Sequence, residues 1–160
     1  MIYHIADSAV FIMNNHEFLS SKLNIITVPS VKNELKSKGA NLRFNLLQVK
    51  MELPEQEMIK EVLKIVKYTQ DADLSNTDID ILAKAFEYKQ NGILLTDDYG
   101  VQNIAKIMGI TIKPIMQKNI KDIIIWEMEC IGCRKRFSKG DICYVCGSAL
   151  KRKRKSKILQ

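Results

Sequence analysis

The most specific chemical pattern in this sequence is formed by its four cysteines, which occur as two C-x-x-C pairs separated by nine residues. Two such pairs place their thiolates on two tight turns, where they can hold one tetrahedral Zn²⁺. A pair of disulfides is the alternative, but disulfides are disfavoured in the reducing compartment expected for a chain without a recognisable signal peptide. We therefore predict a structural zinc site in which protein fills every coordination position. Its ligands would be Cys130, Cys133, Cys143 and Cys146.

Carboxylates suggest a second site in the first three quarters of the chain. Asp7 ends a predicted strand, whereas Glu34 and Asp78 lie in the first turns of predicted helices. The pair Asp97 and Asp98 ends another predicted strand. In a parallel sheet the carboxyl ends of strands and the starts of the following helices open on one edge, so these acids should converge. Clustered carboxylates repel one another unless a hard cation such as Mg²⁺ or Mn²⁺ neutralises them. Such ions activate water and neutralise charge in phosphodiester hydrolysis.

Each acid also has a purely structural interpretation. Asp7 could cap the helix that follows it, and Asp78 could be only the acid of a capping box with Ser75. Glu34 could be a solvated helical charge, and the aspartate pair could belong to a strand-ending turn. The joint placement of these residues at one sheet edge favours the catalytic interpretation.

The elements that would position these acids follow an alternating α/β pattern, which is typical of a parallel sheet covered by helices. Strands are predicted at 2–7, 24–29, 92–98 and 111–116. Helical periodicity is found in the intervening segments, at about 31–37, 40–51, 54–70, 75–91 and 99–109. The fold class is therefore α/β, a three-layer α/β/α arrangement with a central parallel sheet.

Charge is distributed unevenly along the chain. Residues 130–160 carry 10 of the 25 Lys and Arg residues but one of the 18 acids, so the whole net positive charge of +7 resides there. Such an asymmetry is expected of a nucleic-acid-binding appendage. We predict a nuclease-like domain at 1–117, a linker at 118–129, a zinc ribbon at 130–150 and a basic tail at 151–160. The predicted phosphate contacts are Arg134, Lys135, Arg136, Lys139, Lys151, Arg152, Lys153, Arg154 and Lys155.

Other functional classes find little support in the sequence. No apolar run reaches the roughly 20 residues that span a bilayer, so no membrane association is expected. The chain has only two histidines, His4 in a predicted strand and His16 in a predicted loop, which disfavours a paired-histidine ribonuclease mechanism. No phosphate-binding glycine loop or nucleophile elbow occurs. A cytoplasmic location is the resulting expectation.

These residues resemble a known family. Asp7-Ser8, the segment VPSVKNELK with Glu34, LSNTDIDILA with Asp78, and TDDYGVQNIA together resemble the PIN-domain nucleases. The C-terminal segment IIIWEMECIGCRKRF, followed by CYVCGSAL, is similar to the zinc ribbon of the Nob family, and the compact length is similar to its archaeal members. The resemblance implies Asp7, Glu34, Asp78 and Asp97 as metal ligands, with Asp98 sharing or replacing the role of Asp97. It also implies that Ser8 and Thr96 orient the carboxylates.

The resemblance further implies the reaction and its setting. The expected activity is Mn²⁺- or Mg²⁺-dependent endonucleolytic hydrolysis that matures the 3′ end of small-subunit (16S) rRNA in a pre-ribosomal particle, where assembly-factor proteins are possible partners. The main alternative is a non-cleaving RNA-binding assembly factor. A zinc-ribbon protein that contacts a polymerase is a weaker alternative, since it leaves the acids unexplained. The sequence does not determine the oligomeric state.

Overall fold

The structure is a computed structural model that describes residues 1–13, 23–71 and 73–159, with side chains as far as residue 155. Its amino-terminal part is built on a five-stranded sheet in which every pairing is parallel. The strands are β1 (Tyr3–Ala6), β2 (Asn24–Thr27), β3 (Lys50–Met51), β4 (Gly92–Leu95) and β5 (Ile112–Lys113), in the spatial order β3-β2-β1-β4-β5. The parallel three-layer prediction is confirmed.

Six helices in the described residues flank this sheet. They are α1 (Ser8–Ile12), α2 (Pro29–Glu34), α3 (Lys38–Leu46), α4 (Gln56–Thr69), α5 (Asn76–Glu87) and α6 (Tyr99–Ile107). The predicted strands and helices all occur, although the strands are shorter than their apolar patterns suggested. The helix predicted at 40–51 ends at Leu46. The edge strand β3 follows it, which the sequence did not indicate because these two exposed residues carry no strand pattern of their own.

The sheet is most deeply buried at its two central strands. Ile5 and Leu94 are fully buried, and they pair directly across β1 and β4. Gly92 opens β4 at a point of close approach, since a Cβ there would lie 2.8 Å from the Ile5 side chain and 2.7 Å from the Tyr88 carbonyl oxygen. Ala6 pairs with Leu95 at the end of both strands. The residues that follow these two strands therefore emerge side by side.

The C-terminal part forms a second, antiparallel sheet in the order β7-β6-β8. Its strands are β6 (Asp122–Cys130), β7 (Arg136–Phe137) and β8 (Leu150–Leu159). Residues 118–129 and 151–160 were predicted as a linker and a basic tail, and in the structure most of both segments is strand. They contribute two long strands that pair from Asp122 with Leu159 to Cys130 with Leu150.

The pattern of side chains explains why these strands were missed. Residues alternate between buried and half-buried along β6, but its inward positions hold Ile123 and Ile125 and then Glu127 and Glu129. The two glutamates interrupt the alternation of apolar residues that predicts a strand. β8 consists largely of Lys and Arg, which have low strand propensity, and it is fixed by its pairing with β6.

A buried polar cluster joins the two sheets. Asp71, which follows α4 and is buried, accepts hydrogen bonds from the Asn103 amide at 2.7 Å, the Trp126 indole at 3.0 Å and the Arg152 guanidinium at 2.8 Å. The guanidinium also stacks 4.3 Å from the centre of the Trp126 ring and pairs with Asp73. Removal of Arg152 would leave a buried carboxylate without its charge partner, a change that costs about 3–5 kcal/mol. We call Asp71, Asn103, Trp126 and Arg152 the clasp.

Among the described helices, none combines the length and apolar character needed to cross a lipid bilayer.

Candidate metal centres and basic surface

Asp7 is the most deeply buried acid at the carboxyl edge of the parallel sheet, with 6% of its surface exposed. It caps α1 by accepting a hydrogen bond from the Ser8 backbone N–H at 2.6 Å. Its second oxygen accepts a hydrogen bond from the Thr96 hydroxyl at 2.7 Å. The capping interpretation is therefore correct, and so is the expectation that Thr96 orients this carboxylate. Both interactions fix the rotamer of Asp7 at the point where β1 and β4 end.

Asp78 lies at the third position of α5, where it completes a capping box with Ser75. One of its oxygens accepts hydrogen bonds from the Ser75 backbone N–H at 2.7 Å and from the Ser75 hydroxyl at 2.8 Å. Glu34 is the last residue of α2 and is exposed. Although Asp78 has a structural role, its charge also acts on Asp7, as does the charge of Glu34.

The adjacent residues Asp97 and Asp98 have different roles. The Asp97 carboxylate accepts hydrogen bonds of 2.8–3.1 Å from the backbone N–H groups of Ile115, Met116 and Gln117, so it holds the turn after β5. Asp98 is exposed and caps α6 by accepting a hydrogen bond from the Val101 N–H at 2.9 Å. The charge of Asp98 acts on Asp78. Asp98 therefore interacts with Asp78, whereas the Asp97 carboxylate is directed to the turn. The sequence favoured Asp97 as the metal ligand, and the choice between the two residues stays a prediction.

Burial and neighbouring charges govern the titration of Asp7 and Asp78. Burial raises the pKa of Asp7, and the charges of Asp78 and Glu34 raise it further against the hydrogen bonds from Thr96 and Ser8. Burial also raises the pKa of Asp78, with added contributions from the charges of Asp98 and Glu34. An all-oxygen donor set whose charges oppose one another fits a hard divalent cation, because the cation would reverse both effects.

Substitution of Asp7 by Asn should stabilise the protein in EDTA at neutral pH. Because the pKa of Asp7 is raised in the folded protein, its ionised carboxylate lowers the free energy of unfolding. This loss develops as the pH rises through the folded-state pKa and is complete above it. Asn is an equally good helix cap and keeps the shape of the side chain. We expect a higher melting temperature for Asp7→Asn, by about 2–4 °C for each kcal/mol recovered, and a difference that shrinks in acid. Thermal unfolding across a pH series would measure it. A variant whose gain in melting temperature over the unsubstituted chain is smaller at neutral pH than in acid would contradict this account.

The four cysteines form a compact group at the tip of the antiparallel sheet. Their sulfur atoms all lie within 4.8 Å of one another, and all four are free thiols. The Sγ atoms of Cys130 and Cys146 are 3.4 Å apart, and those of Cys133 and Cys143 are 3.6 Å apart. These separations exceed a disulfide bond of about 2.05 Å and approach the roughly 3.8 Å between thiolates on a tetrahedral zinc ion. The geometry fits zinc better than disulfides.

Local hydrogen bonds prepare one thiol for ionisation. Those from Ser148, together with one from Cys130, lower the pKa of Cys146 to about 6. Among the described residues, this group of cysteines is the one already gathered closely enough to share an ion. Tyr144 and Val145, which lie between Cys143 and Cys146, are exposed.

The basic residues predicted to contact RNA fall into two groups. Arg152 belongs to the clasp, and Lys153, Arg134 and Arg136 face the buried acids Glu129 and Glu127 of β6. The other five are exposed and make no ion pair with another described residue. These are Lys135, Lys139, Lys151, Arg154 and Lys155. The ribbon thus presents less unpaired positive charge than its sequence suggests. Arg152 instead binds β8 to Gln70 and Asp71 of the nuclease domain.

Three residues of the clasp were missed by sequence reasoning. Asp71, Asn103 and Trp126 come from a loop, a helix and a strand that are far apart in the chain. Asn103 is buried within α6, a position where a polar residue needs a partner, and this was the available signal.

Comparison with known proteins identifies the family. The family model for the PIN domain of ribonuclease matches residues 4–88, which include Asp7, Glu34 and Asp78. Endoribonuclease Nob1 of Archaeoglobus fulgidus is 34% identical over 91% of this chain and 87% of its own length. The chain belongs to the Nob1 family of PIN-domain endoribonucleases.

Other relatives agree with this placement. Endoribonuclease Nob1 of Methanocaldococcus jannaschii is 40% identical over 79% of this chain, which spans 66% of that longer protein. Ribonuclease VapC1 of Thermoplasma acidophilum is 31% identical over 96% of this chain and 84% of its own length. That match covers nearly the whole chain, including the cysteine region. The family implies RNA cleavage that depends on a divalent metal.

Proposed function

We propose that this member of the Nob1 family cleaves precursor small-subunit rRNA at the mature 3′ end, in the cytoplasm and within a pre-ribosomal particle. The observation that supports the proposal is that the charges of Asp78 and Glu34 act on Asp7, and those of Asp98 and Glu34 act on Asp78. We call Asp7, Glu34, Asp78 and Asp98 the acidic group. A protein that only bound RNA would have no use for acids such as Asp7 and Asp78, whose pKa values are raised by burial and by neighbouring negative charges.

The four acids would hold Mn²⁺ or Mg²⁺. When bound, such an ion lowers the pKa of a coordinated water and neutralises charge on the scissile phosphate. Asp7 is the fixed member, because Thr96 and the Ser8 N–H hold both of its oxygens in place. Glu34, exposed at the end of a short helix, can adjust its position. Asp97 would contribute indirectly by holding the turn at residues 115–117 beside Asp98.

The zinc ribbon and its exposed basic residues would hold the RNA. Contacts between Lys or Arg and phosphate position an RNA but carry little sequence information. The clasp fixes the ribbon to the nuclease domain beside Asp98, so the RNA would be presented at a defined position relative to the acids. Site choice would then depend on the folded shape of the rRNA and on assembly-factor proteins.

The test is incubation of the purified protein with RNA that spans the mature 3′ end, in Mn²⁺, in Mg²⁺ and in EDTA. Metal-dependent cutting at one position is expected, with loss in Asp7→Asn. Glu61→Gln is the matched control, because Glu61 is an exposed acid on α4 that pairs with Lys64. Cutting by both variants would refute the assignment of the site. RNA that is bound but left whole in every metal would favour the non-cleaving assembly factor.

A further inference from the structure

A cavity of about 450 Å³ lies between the nuclease domain and the antiparallel sheet, directly beside Asp98. This volume falls within the roughly 300–1,000 Å³ of small-ligand pockets. Its apolar wall includes Leu74, Ile120 and Ile124, and two aromatic residues, Tyr99 and Trp126, also line it. Neither the acidic group nor the zinc site uses these side chains.

Gly100 lines the cavity next to Asp98, where a side chain would crowd its neighbours. A Cβ at Gly100 would lie 3.1 Å from Asp98 Oδ1 and 3.3 Å from the Leu74 side chain. Tyr99, at the start of α6, is about half exposed, and its hydroxyl donates a hydrogen bond to the Gln117 side chain at 3.3 Å. An aromatic ring held in this way offers a flat surface to a planar ligand that enters past Asp98.

The charges on the cavity wall select the kind of ligand. Asp71, Asp73 and Asp98 line it together with a single cation, Arg152. The terminal nitrogens of that guanidinium already donate to Asp71, Asp73 and the Gln70 carbonyl oxygen. An anion such as phosphate would meet an excess of negative charge there. A neutral planar ring with N–H groups at its edge would find aromatic surface and carboxylate acceptors.

We propose that this cavity binds the base of a nucleotide adjacent to the scissile phosphate, with preference for bases that carry an exocyclic amino group. The inference rests on the proposed function, since it is the acidic group beside the cavity that would hold the scissile phosphate. Single-stranded RNA is commonly read by splayed bases that stack on aromatic side chains and hydrogen-bond along their edges. The cavity would add a base contact to the phosphate contacts of the ribbon.

Trp126 permits a direct test, because it is the single tryptophan of the chain and lines the cavity. The intact, zinc-loaded protein without added Mn²⁺ or Mg²⁺ is titrated with adenosine, guanosine, cytidine, uridine and inorganic phosphate while tryptophan fluorescence is recorded. We expect a saturable change with the three amino-bearing nucleosides, a weaker one with uridine and none with phosphate. A response to phosphate as strong as that to the nucleosides, or none to any nucleoside, would overturn the proposal.

Variants of Tyr99 separate stacking from a general effect on folding. Tyr99→Ala should weaken nucleoside binding by at least about fivefold, since base stacking on an aromatic side chain has an effect of that size or larger. Tyr99→Phe keeps the ring and should bind as the unsubstituted chain does. Tyr68→Ala is the control, because Tyr68 is similarly exposed but does not line the cavity. Equal weakening by Tyr99→Ala and Tyr68→Ala would contradict the proposal.

The nucleoside titration without added Mn²⁺ or Mg²⁺ is independent of catalysis, so the two proposals fail separately. Saturable nucleoside binding by a protein that leaves rRNA whole would refute the nuclease assignment and leave the base site standing. Metal-dependent cleavage without nucleoside binding would remove the base site and leave the nuclease assignment standing.

Discussion

Asp98→Asn should reduce metal-dependent RNA cleavage by at least about a hundredfold, whereas Asp97→Asn should leave most of the activity. Removal of a group that only supports a metal ligand typically costs about 10–100-fold, so loss of a ligand should cost at least that much. Asp98 lies in the acidic group, and Asn at this position still caps α6. Single-turnover cleavage at saturating Mn²⁺ would measure the difference.

Asp97→Asn should instead act on stability. The Asp97 carboxylate accepts backbone hydrogen bonds from three successive residues after β5, and an amide can accept on one side only. We expect a loss of about 1–3 kcal/mol in the free energy of unfolding, measurable by denaturant titration. Abolished cleavage in Asp97→Asn at temperatures where it is folded, with cleavage retained in Asp98→Asn, would reverse the assignment.

Loss of the zinc site should unfold the tip of the ribbon and lower RNA affinity while the nuclease domain stays folded. Structural zinc sites contribute on the order of 10–16 kcal/mol to the folding of small modules, and apart from the cysteines this tip is largely exposed. Cys143→Ser removes a buried ligand, so we expect release of zinc, weaker RNA binding and a smaller dependence of that binding on salt.

Ser138→Ala is a control for this experiment, because Ser138 is an exposed residue between the two cysteine pairs and its substitution should retain zinc. Zinc content, filter binding of RNA and circular dichroism would be recorded for both variants. The core of the parallel sheet is separate from the cysteines, so the helical signal should persist in Cys143→Ser. Undiminished RNA affinity in a zinc-free ribbon would refute the division of labour between the two parts. A substitution is preferable to truncation, since β8 pairs with β6 along its whole length and carries Arg152 of the clasp.

Local patterns in the sequence determined the parallel sheet, its helices and the zinc ligands. Buried parallel strands such as β4 are apolar runs bounded by turn residues, and the cysteine spacing has few alternatives. The expectation that the acids converge also came from topology alone, because the ends of parallel strands share one edge. In each case the information lies within a short stretch of chain or in a general rule of connection.

The tertiary structure alone decided the role of each aspartate after β4 and the nature of the C-terminal segments. Asp97 and Asp98 are chemically identical neighbours, and what separates them is a turn at residues 115–117 that only the folded chain brings close. The Lys- and Arg-rich β8 has no strand pattern of its own, and it becomes a strand because β6 supplies its hydrogen bonds and buried glutamates face its basic side chains. Arg152 likewise appeared to be a phosphate contact until its partners were known. Such roles depend on contacts between residues distant in sequence, and local composition does not contain them.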